Sequence, residues 1–129
     1  MSRTAEEQKT LDFVLEMYRR VLIGMDASLV DQYISPDYVQ HSALAADGVQ
    51  PLKDFLDRVR AESPDAKQDI KRAFVDGDHV IVHTHVVRWP DDPGLAAADF
   101  FRVENGLVVE HWDVIQPVPT DSPNSQSMF

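Results

Sequence analysis

An α+β fold, with helices in the first half of the chain covering one face of a curved, mostly antiparallel sheet formed by the second, is predicted by three observations. Apolar residues recur at three- and four-residue spacing up to about Glu62. From Lys67 onward, runs rich in Val, Ile and Phe take over. Those runs are separated by short breaks, Asp76-Gly77-Asp78 and Asn105-Gly106, that suit hairpins. Helices gathered first and consecutive strands second give a two-layer design with room for a pocket between the layers.

The 129 residues, 43% hydrophobic and 26% charged, suit one domain with a single core, residues 1–119, followed by a flexible tail over 120–129. A formal charge of −10 argues against nucleic-acid or anionic-membrane partners, which need a basic face. The absence of cysteine excludes disulfides, thiolate metal sites and cysteine nucleophiles, and suits a reducing cytoplasm. No apolar leader or run of about 18 apolar residues is present, so a soluble, unexported protein is expected.

Along the chain, Leu11, Val14, Leu15, Tyr18, Leu22 and Met25 form the stripe of a first helix from Thr4 to about Gly24, with an N-terminal box at Thr4. A second, shorter helix covers Asp26 to Tyr33 and ends at Ser35-Pro36-Asp37. Tyr38 to Ser42 reads as a short strand, with Val39 and His41 on one side and Tyr38 and Gln40 on the other. Pro51 starts a third helix, which runs to Glu62 and buries Leu52, Phe55, Leu56 and Val59. Lys67–Val75 and His79–Trp89 are the next two strands, and Pro90 to Gly94 is a loop. After Gln116 the Pro- and Ser-rich segment looks unpacked.

The segment from Asp99 to Gln116 holds the densest cluster of ionisable groups, and its register decides which of them share a face. A two-residue turn at Asn105-Gly106 places Asp99 opposite Trp112. A type I turn with Gly106 as a bulge places it opposite His111, and is the preferred reading. Asp99, Phe101 and Val103 then share a face with Val109, His111, Asp113 and Ile115, while Phe100, Arg102, Glu110 and Trp112 take the other. The first face combines two carboxylates and an imidazole with apolar walls.

The order of elements, with Y-V-Q-H (Tyr38–His41), V-H-T-H (Val82–His85), D-F-F-R-V-E-N-G (Asp99–Gly106) and V-E-H-W-D-V-I-Q (Val109–Gln116), resembles the SnoaL-like polyketide cyclase branch of the nuclear-transport-factor-2-like superfamily over about Ala5 to Pro119. The resemblance implies a cone-shaped α+β barrel, an internal cavity for a small molecule, cofactor-independent chemistry and a homodimer through the outer sheet face. In such cyclases an aspartate on the last strand is the proposed acid/base of an aldol condensation, and Asp113 matches it. Ketosteroid isomerases share the scaffold; their oxyanion-binding acid in D-x-F-R is matched by Asp99, and their helix tyrosine by Tyr18. Where they carry a base aspartate this chain has His41, which counts against steroid isomerisation itself.

Proton abstraction beside a carbonyl needs a base and a donor to the enolate oxygen in a dry cavity. Asp113, His111 and Asp99 are the candidate catalytic residues. His41, His83, His85, Tyr18, Phe101 and Ile115 are candidate ligand contacts, the comparison with the isomerase strand turning His83 and His85 inward. Ordinary structural alternatives stand beside these roles: a solvated strand-end carboxylate for Asp113, a buried hydrogen bond for Asp99, a residue that only orients Asp99 for His111, a cap for His41, ordinary strand histidines for His83 and His85, and a core aromatic for Tyr18. Val80, Val82 and Val86 are assigned with Phe100, Arg102 and Trp112 to the outer, subunit-facing side. No metal or cofactor is expected, although a strand H-x-H also occurs in metal sites. Two other readings stand beside the enzyme: a non-catalytic pocket for an apolar or aromatic ligand, and a metal enzyme using His83 and His85.

Overall fold

The computed structural model describes residues 2–129. Thr4 caps the first helix reciprocally: its hydroxyl accepts from the Glu7 amide at 3.1 Å, and the Glu7 carboxylate accepts from the Thr4 amide at 2.9 Å. Helix α1, Ala5–Met17, continues as a π-helical segment, Tyr18–Ile23. Leu11, Val14, Met17, Tyr18 and Val21 are buried, with Leu15 and Leu22 at the edges of the stripe. A 3₁₀ turn, Ala27–Leu29, leads into a single turn of helix α2, Val30–Tyr33.

Strand β1, Ile34–Gln40, begins before Ser35-Pro36-Asp37 instead of after it. Proline is tolerated there because β1 is an edge strand whose pairing is irregular between Ile34 and Val39. Helix α3, Val49–Glu62, takes Pro51 in its first turn and buries Leu52 and Leu56. Strands β2, Lys67–Asp76, and β3, His79–Val87, form the expected hairpin. Strand β4, Leu95–Glu104, starts four residues earlier than the Asp99 expected, and β5 spans Leu107–Pro117.

The five strands lie in the order β1-β5-β4-β3-β2, antiparallel except for the β1–β5 pair, in a sheet that curves without closing. Val80, Val82, Phe101 and Val108 on its inner face join Leu11, Val14, Met17, Tyr18 and Val21 of the first helix in one core. Full burial of an aliphatic side chain of this kind contributes about 1.5–3 kcal/mol. That core ties the helical layer to the sheet.

The β4–β5 register corrects both expected pairings. Asn105 and Gly106 both have positive φ, 51° and 77°, and make a two-residue turn, with Glu104 opposite Leu107 and Val103 opposite Val108. The bulge lies beyond the turn: Arg102 pairs with Glu110, leaving Val109 as the extra residue. Asp99 therefore stands opposite Asp113, and Phe101 opposite His111. An even offset keeps Asp99, Phe101, His111, Asp113 and Ile115 on one face, as the bulged reading requires. Val108 replaces Val109 inside, since the bulge reverses the alternation at that point.

Strand β3 has the opposite facing from that expected. Val82 pairs with Asp99 and Val80 with Phe101, so the valines share the inner face and are fully buried. His79, Ile81, His83 and His85 alternate to the outside. The tail has no regular structure, yet Phe129 stacks on His85 with ring centroids 4.4 Å apart.

Candidate active site

A cavity of about 470 Å³ lies between the inner sheet face and the helices. Its walls come from Met17, Leu22, Leu52, Phe55, Leu56 and Phe101, and its polar groups from Tyr18, Tyr38, Gln40, Asp99, His111 and Asp113. Phe101 and Ile115 also line it.

Asp99 is buried and uses both oxygens. The Tyr18 hydroxyl donates to Oδ2 at 2.8 Å, and Nε2 of His111 meets Oδ1 at 2.8 Å. The other nitrogen of His111, Nδ1, lies 2.7 Å from Oε1 of Gln40. That amide is oriented by its neighbours: Oε1 accepts from the Ser42 amide at 3.0 Å, and Nε2 donates to the Tyr38 hydroxyl at 2.8 Å. Gln40 therefore presents an acceptor, and His111 must carry its proton on Nδ1. A single proton is then held between Nε2 and Asp99 Oδ1, on one atom or the other, because two bare acceptors would repel.

Asp113 differs from Asp99. Directly opposite it in the sheet and half-buried on the cavity wall, it makes no hydrogen bond to any described residue. One oxygen or nitrogen of each of Asp99, His111 and Asp113 lies within 4.8 Å of the others, a set that can hold a metal ion if the Asp99–His111 hydrogen bond is given up.

Burial pushes the Tyr18 phenol far above its ordinary value, reinforced by the negative charge of Asp99. The same causes raise Tyr38, with Asp113 adding to the effect. Both phenols thus remain protonated donors. Tyr18 spends its proton on Asp99, whereas the Tyr38 hydroxyl accepts from Gln40 and its own proton is unclaimed by the described residues. Thr84, fully buried, makes no hydrogen bond of acceptable geometry, although its hydroxyl is close enough to favour ionisation of Tyr18 slightly.

Three expected ligand contacts lie elsewhere. His41 bonds Glu110 at 2.7 Å and stacks on Trp112 on the outer face. His83 contacts Arg72 and His85 contacts the Pro93 carbonyl, also outside, so the H-x-H pair meets no third metal ligand among the described residues. The strand register turns them outward. Tyr38 and Gln40 were missed as site residues; their placement opposite Val39 and His41 in the alternation of β1 was the available signal.

A small α+β protein with an apolar cavity and an acid–base cluster at its sheet wall is the class that fold and site define. The chain belongs to the SnoaL-like domain family, whose sequence profile matches residues 14–111, and its fold is nuclear-transport-factor-2-like. No curated protein matches it. Among solved structures it is similar to a protein described as a polyketide cyclase from Acidithiobacillus ferrooxidans, at 22% identity over 89% of this chain and 91% of that one, TM-score 0.69. A protein of Jannaschia sp. CCS1 described as a SnoaL-like polyketide cyclase matches at 18% identity over 89% and 90%, TM-score 0.73. AclR of Streptomyces galilaeus, described as a hydroxylase, matches at 21% identity over 86% and 81%, TM-score 0.71. At these identities the likeness establishes the fold. No described helix is long and apolar enough to cross a membrane.

Proposed function

We propose that the protein is a cofactor-independent enzyme of the SnoaL-like type that performs acid–base chemistry on a small carbonyl compound, by aldol cyclisation or isomerisation. The observation that carries this reading is the pairing of a committed carboxylate, Asp99, with an uncommitted one, Asp113, on the wall of an apolar cavity. Asp113 takes the proton from the carbon beside the carbonyl. Tyr38 offers its free O–H to the developing enolate oxygen, and the proton held between Asp99 and His111 adds positive character nearby. In an aldol closure the enolate carbon attacks a second carbonyl of the same molecule, and Asp113 returns its proton to the new alkoxide. In an isomerisation the proton returns to a different carbon. Both balance without an oxidant or reductant.

Tyr18 and Asp99 act here as the support that orients His111, in place of the oxyanion roles the isomerase comparison implies. The protein is further read as a cytoplasmic homodimer joined through the outer sheet face, where Trp112 stacks between His41 and His79 and Phe74 and Val114 are exposed.

The test is hydrogen–deuterium exchange at the α-carbon of 2-tetralone in D₂O, followed by proton NMR. Wild-type protein is expected to accelerate exchange, Asp113→Asn to lower the rate by about 100-fold or more, and Tyr38→Phe to lower it by a smaller factor. Exchange no faster than in buffer, with saturable binding of the ketone, favours a non-catalytic pocket for apolar ligands instead. An Asp113→Asn rate equal to wild type removes the catalytic assignment.

A further inference from the structure

The cavity has a second polar end. Arg88, immediately after β3, is the only lysine or arginine among its described lining residues. Val82 lies opposite Asp99 and Val86 opposite Leu95, so Arg88 begins up to about 20 Å along the sheet from the acid–base row, at roughly 3.3 Å per residue. Leu95 and Ala97 line the inner face between them.

The guanidinium is held in place. Its Nε donates to Oδ2 of Asp92 at 2.8 Å and Nη2 to Oδ1 at 3.0 Å. The same carboxylate accepts from the amides of Arg88 and Gly94, both at 3.0 Å, and is 2% exposed while the arginine side chain is 38% exposed. Gly94 makes this turn possible: its φ is +92°, and a Cβ there would lie 2.3 Å from the Val86 carbonyl oxygen. The Trp89 ring lies under the guanidinium, 4.4 Å from centroid to carbon. Nη1 makes no hydrogen bond to a described residue, which leaves a donor edge in fixed orientation beside the cavity.

We propose that Arg88 anchors a carboxylate of the substrate, and that the cavity therefore takes elongated apolar or aromatic carbonyl compounds bearing an acid group at the end remote from the reacting carbon. A planar guanidinium already pinned along one edge loses little freedom on binding a second carboxylate along another. The unpartnered carboxylate of Asp113 repels an anion at the opposite end, so the molecule enters one way round. Glu62, exposed on the last turn of α3, is the further carboxylate of the lining and stands at the rim. The reacting end of this picture rests on the function proposed above; the anchor does not.

Fluorescence titration with 2-naphthoate and methyl 2-naphthoate tests the anchor, because the two probes share a ring system and differ in charge. Wild-type protein is expected to bind the acid about tenfold more tightly than the ester, and Arg88→Gln to bring the two within about twofold while ester affinity stays near wild type. Arg88→Lys, which keeps the charge and loses the fork, falls between and serves if the glutamine variant does not fold. Asp113→Asn must keep the preference for the acid, which separates the anchor from the acid–base reading. Equal affinity for both probes in wild type, a preference that survives Arg88→Gln, loss of both probes together in that variant, or failure of either probe to bind wild type overturns the proposal.

Discussion

Tyr18 and Asp99, 81 residues apart in sequence, meet through a 2.8 Å hydrogen bond that joins the first helix to the fourth strand inside the core. The bond leaves from the first residue of the π-helical segment and ends on the carboxylate that holds His111. Such local widenings of a helix often accompany functional sites. The relationship makes Asp99 a support and leaves Asp113 as the free carboxylate.

Tyr18→Phe removes the donor and strands a buried carboxylate oxygen. Urea unfolding is expected to show a loss of about 1–3 kcal/mol, the cost of an unsatisfied buried acceptor. An unchanged midpoint would mean that the bond contributes nothing.

Alkaline stability follows from the same tyrosines. Tyr18 and Tyr38 are raised above the ordinary value of 10.0, so their contribution is fully present below pH 10 and is lost as pH rises toward their folded values. In that window the unfolded chain releases protons that the folded chain retains. Each tyrosine steepens the fall by up to about 1.4 kcal/mol per pH unit. Tyr18→Phe should flatten the alkaline limb of a stability–pH curve, and an identical slope in the variant would refute the coupling.

Gln40→Leu removes the acceptor that holds the proton on Nδ1 of His111. Nitrogen-15 NMR of the imidazole should show Nδ1 protonated in wild type and only partly protonated in the variant, with exchange at the 2-tetralone α-carbon slowed by about tenfold or more. Gln40→Glu keeps an acceptor and should retain the wild-type tautomer. A wild-type His111 carrying its proton on Nε2 alone would contradict the assignment.

Metal removal tests the cluster of Asp99, His111 and Asp113. Because Asp99 and Nε2 of His111 already satisfy one another, ion binding must first break that bond. Dialysis against EDTA is expected to leave turnover undiminished; loss of activity restored by a divalent ion would reassign the cluster as a metal site.

Sedimentation at micromolar concentration is expected to give twice the 14.6 kDa chain mass, with Trp112→Glu shifting it to the monomer. A wild-type mass of one chain removes the outer-face dimer.

What the sequence determined by itself was the local content: the Thr4 cap, the helical stripes, the Asn105-Gly106 turn, and the common face of Asp99, His111 and Asp113, each set by spacing or by residues that tolerate positive φ. Only the tertiary structure decided the rest. The bulge at Val109 paired Asp99 with Asp113, since register depends on the fit of whole strands against the core. The pairing of Val82 with Asp99 turned His83 and His85 outward, a choice that alternation leaves two-fold ambiguous. Tyr18 and Arg88 gained their places at the cavity through contacts between distant segments, which no local spacing encodes, and the alternation that puts Tyr38 and Gln40 on one side of β1 left open which side faces the cavity.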